Sequence, residues 1–558
     1  METIKRTLRD SAALRWLVLI LISGITFGTY WFQDFFSGIK PLMITEMGIT
    51  SSQFGTLIQW TTWANVFGMI IIGGIILDKW GIRLTGIVFG LLAVGGAALT
   101  ALGAAGTFST DLNSQLWTMM IGRLIFGSGL EIMCVIAMRT IVKWFKGYEL
   151  ALAMAINMGF GRLGSTLGQA LSIDIGGGVV SPAVNFAATL IGIGFLMFLI
   201  YMMFDVRLDR QTKGQATDGD DEAFKLSDLV KLITNKSFLF IALLCVTFYS
   251  AVFPFMQYAP DLLINKFNFS YNLPENATIT LFGSEVLGNL SIYLGLFIFA
   301  LAITLVPSKI KSNKGKIGSI IIILLLFVVF IYSLSDILSL WLRNGPKTAS
   351  LIPLGSILFT PIFGKIVDTK GKAASLMILG SLLLIFAHLA LSIFDNMILG
   401  YLGLLSLGIA FSLVPAAMWP SVAKIVAENR LGTAYATMFT IQNWGLNAFF
   451  KGIGWVLDKS NPEVVAKIEA VRASLEAQGL SNIEISNKMQ EMQLGVDRVI
   501  PAFNYTNPIL MLVGLGVIAL FFAFMLKRAD KKQGYGLESP SGEKPEQVKE
   551  AEIQANVE

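Results

Sequence analysis

The chain has 558 residues, of which 54% are hydrophobic and 14% are charged, and its mean hydropathy is +0.68. A soluble protein carries about 25% charged residues. Apolar runs of span length recur from end to end, so we predict an all-α polytopic membrane protein. The net charge of +5 arises in the loops, which argues against nucleic-acid binding. One histidine and two cysteines, without ligand spacing, predict neither a metal site nor a cofactor.

Fourteen apolar segments are predicted to span the membrane, and a charged linker divides them into two halves. The first apolar run opens after Arg15 without a small-residue cleavage site, so we interpret it as a span and not as a signal peptide. The first half holds the predicted spans 14–38, 52–77, 84–104, 115–142, 149–173 and 184–206, and the second half holds 237–265, 287–306, 317–341, 347–366, 373–392, 396–423, 430–458 and 503–527.

The same segmentation predicts the domain boundaries. A charged stretch with glycine and aspartate runs is typical of a linker, and a polar stretch rich in Lys, Glu, Pro and Gly is typical of a disordered tail. The predicted units are a cytoplasmic N-tail (1–13), an N-terminal bundle (14–206), a cytoplasmic linker (207–236), a C-terminal bundle (237–527) with an inserted hairpin (287–341), and a disordered cytoplasmic tail (528–558).

Lysine and arginine collect in the loops on one side of the predicted bundle. The positive-inside rule makes that side cytoplasmic, so both termini are predicted to be cytoplasmic. Short loops and strong charge bias favour a bacterial inner membrane, while outward-side sequons at Asn276 and Asn504 leave a eukaryotic organelle open. The basic residues concerned are Lys5, Arg6, Arg9, Arg15, Lys79, Arg83, Lys143, Lys146, Lys225, Lys231, Lys236, Lys309, Lys311, Lys314, Lys316, Lys370, Lys372, Lys527 and Arg528.

One long loop, 459–500, is predicted on the outer side and to be helical. Asn461 followed by Pro462 is a typical helix start, and Gly479 is expected to end that first helix. A second amphipathic stretch follows. We interpret the loop as a helical cap over the mouth of the bundle, with a surface for an accessory subunit as the alternative. The apolar residues at helical spacing are Val465, Ile468, Val471, Leu475, Ile485, Met489 and Met492.

Two apolar segments between Gly122 and Gly168 each carry one ionisable residue near the middle. Glu131 lies 15 positions before Lys146, in the turn between the segments, and Arg162 lies 16 positions after it. In two helices both charges would lie roughly 22–24 Å from the turn, at the same depth. A charged residue inside a span costs free energy, so such residues are usually paired with an opposite charge or have a function. We therefore predict a substrate site at Glu131 and Arg162, with an ion pair that only joins two helices as the alternative.

A short motif recurs at corresponding places in the two halves. The pattern G-x-x-x-D-x-x-G, followed by a basic residue, starts at Gly74 and again at Gly364. Repeated halves are the sequence mark of transporters that rock one bundle against the other. Glycines permit a sharp turn and the aspartate can accept from a neighbouring helix N-terminus, so we predict a cytoplasmic latch. Its predicted gating residues are Gly74, Asp78, Gly81, Arg83 and Asp368.

The first copy of this motif, G-x-x-x-D-K-x-G-x-R, resembles the signature loop of the major facilitator superfamily. Arg123-x-x-x-Gly127-x-Gly129 resembles the second motif of that superfamily. The resemblance implies the major facilitator fold, with two six-helix bundles around a central cavity that opens alternately to either side. The inserted hairpin 287–341 departs from that plan and is expected at the periphery.

Seven further segments carry a narrower resemblance: F-G-T-Y-W-F-Q-D (27–34), W-A-N (63–65), W-F-K-G-x-E-L (144–150), R-L-G-S-T (162–166), A-V-F-P-F (251–255), W-P-S-V-A (419–423) and L-G-T-A-Y-A-T-M-F-T-I-Q-N-W-G-L (431–446). They are similar to the branch of the superfamily that contains lysosomal dipeptide transporters. This resemblance implies a dipeptide or similar small zwitterion as substrate, transport without proton coupling, and a glycosylated partner. The hairpin, the long outer loop, Arg139 and Lys451 depart from the branch.

A zwitterion with free ends requires an acid and a base several ångströms apart, with amides and aromatic rings between them. Arg162 is predicted as the carboxylate clamp, because a guanidinium binds bidentately, and Glu131 as the partner of the ammonium group. The other candidates for the substrate site, each with plain packing as the alternative, are Gln59, Trp63, Tyr249, Phe253, Gln257, Trp419, Gln442 and Asn443.

Two further charged residues are predicted to act in gating. Asp34 closes the first predicted span at the outer mouth, where a gate and a solvated helix end both remain open. Arg139 lies two turns beyond Glu131. It is predicted either to pair with Asp78 in the latch or to snorkel to the lipid headgroups.

Three functions from different classes remain open. The first is a monomeric secondary transporter in the lipid bilayer that moves dipeptides or similar zwitterions by alternating access. The second is a proton-coupled transporter of another small solute, such as an organic anion, a sugar or a drug. The third is a non-transporting sensor or assembly subunit that holds a partner at 459–500. No nucleophile–base spacing, metal site or phosphate loop predicts an enzyme.

Overall fold

The computed structural model describes residues 7–212, 226–426, 430–493 and 498–540, and within these ranges α-helices dominate. The first half contains α1 (Ala12–Met47), α2 (Ser51–Gln59), α3 (Trp63–Val66), α4 (Met69–Ala104), α5 (Leu112–Phe145), α6 (Leu150–Gly176) and α7 (Val180–Thr212). The second half contains α8 (Leu226–Thr234), α9 (Lys236–Phe267), α10 (Glu285–Lys309), α11 (Asn313–Ser333), α12 (Ser335–Trp341), α13 (Gly345–Ala349), α14 (Leu351–Lys370), α15 (Ala373–Ser392), α16 (Met397–Ile425), α17 (Leu431–Ser460), α18 (Pro462–Glu476), α19 (Asn482–Gln493) and α20 (Thr506–Gln533).

Eleven of the described helices are long and apolar enough to cross a membrane, which confirms the all-α polytopic class. The count of fourteen spans stays a prediction. Helix α4 contains the predicted span 84–104 and also the second part, from Met69, of the predicted span 52–77, and Gly81 turns the chain between them with φ 71° and ψ 175°. Helices α6 and α17 carry polar residues along their length and are not among the eleven.

The predicted span 52–77 is not one continuous helix. Helix α2 ends at Gln59, a 3-10 turn covers Trp60–Thr62, and α3 ends at Val66. Gly68 then adopts φ 81°, in the left-handed region, before α4 begins. A residue without a Cβ adopts this conformation at little cost. The break therefore falls where the sequence is richest in polar and aromatic residues and offers a glycine.

Helix α1 extends nine residues beyond the predicted end at position 38. Its 36 residues cover about 54 Å, and it ends at Gly48, which forms a left-handed C-cap with φ 65°. Asp34 and Lys40 therefore lie inside the helix, where they are 6% and 0% exposed. The interpretation of Asp34 as a solvated helix end is wrong.

The linker and the tail also differ from their predictions. Within 207–236, α7 continues to Thr212 and α8 is helical, while 213–225 lie outside the described residues. Part of the predicted disordered tail is packed: α20 continues to Gln533, and the Leu537 side chain is fully buried. The backbone nitrogen of Lys372 donates to the Glu538 carbonyl at 3.0 Å, which ties the segment to the turn after α14. The tail prediction for 541–558 falls outside the described residues.

Both ends of the described chain lie on one side of the bundle, which we call the terminal face. The Leu8 backbone nitrogen donates to Gln211 near the end of α7, and the Ser237 hydroxyl at the start of α9 donates to Gln533 of α20. The opposite side carries α18 and α19 between α17 and α20, and we call it the loop face.

Two ion pairs, each with a buried lysine, join the halves near the loop face. The Lys40 ammonium of α1 lies 2.5 Å from the Asp261 carboxylate of α9, and the Tyr505 hydroxyl donates to the same carboxylate. The Lys347 ammonium of α13 lies 2.5 Å from the Asp174 carboxylate of α6. The two bundles are thus held together at this face.

Helices α18 and α19 confirm the predicted helical character of the outer loop. The buried face of α18 includes Ile468 and Leu475 as predicted, but it also includes Arg472. The Arg472 guanidinium donates to the Thr45 carbonyl at 2.8 Å and to the Glu46 carbonyl at 3.1 Å, at the C-terminal end of α1. The segment therefore belongs to the second half by sequence and contacts the first half through these bonds.

Candidate functional site

Arg162 lies on α6 at the centre of the molecule, where its side chain faces the second half. Its guanidinium stacks on the Phe411 ring of α16, with 4.3 Å between Cζ and the ring centroid. Helix α6 reaches this position by close packing on α1: a Cβ on Gly164 would lie 2.4 Å from the Phe27 carbonyl oxygen. Glycines, which have no Cβ, allow the backbones of α6 and α1 to approach closely. The half-buried Arg162 side chain extends from this part of α6.

Glu131 lies on α5 and is also half-buried. Tyr30 of α1 is close enough to interact electrostatically with both Glu131 and Arg162. Neither Glu131 nor Arg162 forms an ion pair with any residue that the structure describes. The alternative of a structural Glu131–Arg162 ion pair is therefore not realised. Both charged groups remain available to a third species.

Asp34 contributes a second buried carboxylate to the same region. Its Oδ1 accepts from Gln257 Nε2 of α9 at 2.8 Å, and this bond connects the two halves. Arg162 and Arg123 are both close enough to attract the Asp34 carboxylate. Arg123 is fully buried on α5 and donates to the Phe32 carbonyl at 2.9 Å. Asp34 and Gln257 are thus bound to each other, next to Arg162.

Aromatic rings line the second-half side of this region. Phe253 packs edge-on against Phe411 at 5.5 Å and stacks with Tyr249 at 5.3 Å between centroids. The indole nitrogen of Trp419 donates to the Tyr249 hydroxyl at 3.0 Å. Trp419 in turn stacks on Phe439 at 4.8 Å. We call these five residues the aromatic wall; it begins at the Arg162 guanidinium.

The remaining candidates of the second half are held by their own neighbours. Gln442 is 6% exposed and accepts from the Cys245 thiol, with 3.6 Å between sulfur and oxygen. Asn443 is 1% exposed and donates to the Phe439 carbonyl one turn earlier in α17. The Asn443 bond is to the backbone of Phe439, which belongs to the aromatic wall, and the Gln442 contact is to Cys245 of α9.

The candidates on α2 and α3 contribute to the contact between the halves. Gln59 Nε2 donates to Asn447 Oδ1 of α17 at 3.0 Å, and Asn447 Nδ2 donates to the Thr62 hydroxyl at 3.0 Å. Trp63 is half-buried and stacks on Phe67 with 5.8 Å between ring centroids. Gln59 is therefore part of the junction between α2 and α17, and no contact places it at Arg162.

The predicted latch is assembled at the terminal face. The Arg139 guanidinium lies 2.5 Å from the Asp78 carboxylate, which is the pairing that one of the two alternatives for Arg139 required. Arg83 follows the Gly81 turn and lies 2.6 Å from Asp209 of α7. Gly74 has open space around it, as has Gly364 in the second copy. The first copy of the motif thus connects α4 to α5 and α7.

The second copy of the motif is covered by the C-terminal segment. Asp368 is exposed at the end of α14. Gly371 adopts φ 68°, and a Cβ there would lie 2.5 Å from the Glu538 carbonyl oxygen. The Glu538 carboxylate accepts from the Ser375 backbone nitrogen at 2.8 Å, at the start of α15. This turn therefore packs against residues 534–540.

Several central residues escaped the sequence reasoning. Lys40 falls two residues beyond the predicted end of the first span, and Lys347 is the first residue of the predicted span 347–366. Neither position indicates a buried lysine, although the apolar residues around Lys40 could have suggested one. Phe411 carries no sequence signal that separates it from an ordinary core residue, and Tyr30 lies on a helix face that the pattern alone does not distinguish.

Two helical bundles that meet around an acid, a base and an aromatic wall define a polytopic membrane transporter. The chain belongs to the Major Facilitator Superfamily, whose sequence pattern matches residues 22–346. This is a family of transporters and not of enzymes.

The chain is similar to known proteins of this kind. It is 27% identical over 458 residues to the lysosomal dipeptide transporter MFSD1 of Danio rerio, covering 80% of this chain and 81% of the relative. It is 26% identical over 459 residues to the protein of that name from Homo sapiens, covering 80% of each. The resemblance to this branch is thereby confirmed.

Solved structures share the fold. A bacterial homologue of the human lysosomal transporter Spinster, in an inward-facing and unoccupied conformation, matches with a TM-score of 0.57 and 13% identity over 96% of this chain and 100% of that chain. The nucleoside transporter NupG matches with a TM-score of 0.51 and 13% identity over 91% and 99%. The predicted major facilitator fold is confirmed.

Proposed function

We propose that the protein is a secondary transporter that moves dipeptides or similar small zwitterions across a membrane by alternating access. The observation that carries this proposal is the pair Glu131 and Arg162, two charged groups inside the bundle without an ionic partner among the described residues. A charge inside a membrane protein is stabilised by pairing. A zwitterion supplies the missing partner to each residue at once.

Each end of the substrate has a chemically suitable residue. The planar Arg162 guanidinium takes a carboxylate through two parallel N–H···O bonds, and its contact with Phe411 leaves the guanidinium edge free for this purpose. Glu131 takes the ammonium group. The aromatic wall accommodates the side chains, and Tyr249, Phe253 and Trp419 belong to the substrate site for this reason.

The residues that we propose for gating form two groups of contacts. Asp34 with Gln257, and Gln59 with Asn447, join the halves toward the loop face. The Asp78–Arg139 pair, with its turn at Gly81, holds the terminal end of the first bundle. In alternating access the loop-face contacts break when the site opens to that side. Gln442 and Asn443 contact the helices that carry the wall, through the Cys245 thiol and the Phe439 carbonyl.

The buried carboxylates also support a second candidate, the proton-coupled transport of another small solute. Asp34 is 6% exposed and bonded to the opposite half, so a change in its protonation would alter a contact between the bundles. In this case a pH gradient would drive uptake, and the solute need not be a zwitterion. The two candidates differ in substrate class and in their driving force.

A binding screen followed by transport measurement tests both candidates. In the purified, detergent-solubilised protein, dipeptides are expected to raise the free energy of unfolding by about 2.7 kcal/mol at 100 times the dissociation constant. Sugars and organic acids without an ammonium group are expected to produce no shift. Reconstituted vesicles should then accumulate the binding dipeptide whether or not a pH gradient is present. Uptake of a non-zwitterion that requires the gradient would establish the second candidate instead.

We place the protein in a bacterial inner membrane as a monomer, with the terminal face in the cytoplasm. A membrane-impermeant maleimide tests this orientation at two exposed positions. Ala477→Cys, on the loop face, is expected to react in intact cells, whereas Lys146→Cys, on the terminal face, should react only after permeabilisation. The reverse result would place the terminal face outside. The segment 459–500 packs on α1 in this arrangement, and an accessory subunit would bind its outer surface.

A further inference from the structure

The inserted hairpin consists of α10 and α11, and only α10 packs on the body of the protein. Five of its residues that face inward are buried: Gly288, Asn289, Ile292, Tyr293 and Phe297. In α11 only Ile323 is buried among the described side chains. Helix α11 is thus expected to face lipid, as the prediction of a peripheral hairpin requires, while α10 presents one continuous face to its neighbours.

Helix α10 contacts both halves of the transporter. The Tyr293 hydroxyl is hydrogen bonded to the Ser350 hydroxyl, between α13 and α14 of the second half, at 3.0 Å. Asn289 Nδ2 donates to Asp174 Oδ2 of α6 in the first half at 3.5 Å, and Asp174 also pairs with Lys347. The hairpin therefore fills the side of the molecule where α6 and α14 approach each other.

The Phe297 side chain packs on the part of α6 that carries Arg162. Its ring meets Phe160 edge-on with 5.8 Å between centroids. A Cβ on Gly159 would lie 3.5 Å from the Phe297 ring, so the ring covers a bare stretch of backbone. Gly159 precedes Arg162 by three positions, and residues three apart are neighbours on a helix surface. Phe297 is 6% exposed, so its ring is buried between α10 and its neighbours.

The other side of the same α6 segment rests on α1. A Cβ on Gly161 would lie 3.0 Å from the Tyr30 ring, and one on Gly164 would lie 2.4 Å from the Phe27 carbonyl oxygen. Three glycines within six residues leave this stretch with few side chains of its own to fix its position. It is held between α1 on one side and the Phe297 ring on the other.

We propose that Phe297 of the inserted hairpin is a positioning residue, which holds the α6 backbone so that Arg162 meets the substrate carboxylate in bidentate geometry. The proposal rests on the proposed function of Arg162 as the carboxylate clamp. Bidentate bonds require a guanidinium plane fixed in position and direction. A cavity in place of the Phe297 ring lets the glycine-rich segment shift toward α10, and Arg162 shifts with it. The hairpin thereby contributes to substrate recognition without touching the substrate.

The test compares two phenylalanines of the same helix. Phe297→Ala removes the ring that packs on α6, whereas Phe299→Ala removes a ring that packs on Phe327 and Phe330 of α11, with centroids 5.4 Å away in each case. Both variants lose the same number of atoms from the hairpin. Phe297→Leu restores an apolar side chain against Gly159. Binding is measured with the dipeptide that stabilises the wild type most in the screen, and with its C-terminal amide.

Phe297→Ala is expected to weaken binding of the free dipeptide by about 10-fold to 100-fold, the loss typical of a catalytic or binding group displaced by about 1 Å. The KM for uptake should rise accordingly, with kcat nearly unchanged. The amide, which has no carboxylate, should bind Phe297→Ala and wild type equally. Phe299→Ala should behave as wild type with both compounds, and Phe297→Leu should recover most of the affinity.

The possible outcomes separate this inference from the proposed function. If no dipeptide binds the wild type, the proposed function itself fails. If dipeptides bind the wild type but Phe297→Ala and Phe299→Ala give the same affinity, the positioning role of Phe297 is wrong while the function stands. An equal loss for the free acid and the amide would show a general structural defect and would also overturn the proposal.

Discussion

Replacing Arg162 by alanine is expected to abolish dipeptide uptake at substrate concentrations that saturate the wild type. The variant loses a charge-assisted bidentate interaction with the carboxylate, which contributes about 1.5–3 kcal/mol per hydrogen bond to a charged group, and it leaves Glu131 as a lone charge in the site. Binding should weaken at least 10-fold to 150-fold in the thermal-shift measurement. The affinity of Arg162→Lys should lie between those of the wild type and Arg162→Ala. An ammonium group carries the charge but cannot form two parallel hydrogen bonds in one plane.

Modified ligands locate the interaction at one end of the dipeptide. Amidation of the C-terminus should weaken binding to the wild type but have no further effect in Arg162→Ala. Acetylation of the N-terminus should weaken binding to the wild type but have no further effect in Glu131→Gln. Arg207→Ala removes an exposed arginine of α7 and serves as the matched control, with unchanged uptake. Full uptake by Arg162→Ala would remove Arg162 from the substrate site.

Replacing Asp261 by asparagine is expected to release the loop face. The Lys40 ammonium is fully buried, and loss of its carboxylate partner leaves a charge without compensation. Breaking a buried pair by removing one partner costs about 3–5 kcal/mol. The arrangement in which the loop face is closed by the Lys40–Asp261 pair therefore loses this stabilisation. Spin labels on exposed loop-face residues of the two halves, Thr110 and Phe394, should therefore report a population with longer distances.

Two control variants distinguish this effect from a general loss of stability. Asp395→Asn breaks an ion pair on the same face, but Asp395 is 88% exposed, so the distances should not change. The double variant Lys40→Met/Asp261→Leu replaces both charges by apolar side chains and should recover most of the closed population, since such replacements are often neutral. Unchanged distances in Asp261→Asn would show that the Lys40–Asp261 pair does not keep the loop face closed.

The class of fold and much of the central site could be predicted from the chain itself. Apolar runs with charges confined to the loops determine the class, because the bilayer admits few other solutions. The spacings of 15 and 16 positions that separate Glu131 and Arg162 from Lys146 predicted both residues inside the bundle at the same depth. The repeated motif led to the Asp78–Arg139 contact, because a short turn restricts which side chains can meet.

What remained hidden depends on contacts between distant segments. The Lys40–Asp261 pair joins residues 221 positions apart, and no local pattern signals that a lysine of α1 and an aspartate of α9 will meet in the interior. Phe411 became significant only through its position over Arg162. The packed segment 534–540 was missed for a similar reason, since a polar composition does not reveal that Leu537 enters a gap beside α15.

Helix α18 also connects α17 to the end of α1. A single residue, Asn461, separates it from α17, and the Asn461 side chain donates to the Leu457 and Asn504 carbonyls, so this joint is stiff. Helix α18 must therefore travel with α17. The Arg472 side chain of α18 donates hydrogen bonds to two carbonyl oxygens at the end of α1, in the other half. Any separation of α1 from α17 at the loop face must therefore break these two hydrogen bonds, and the carbonyl oxygens at the end of α1 would then need water as a partner.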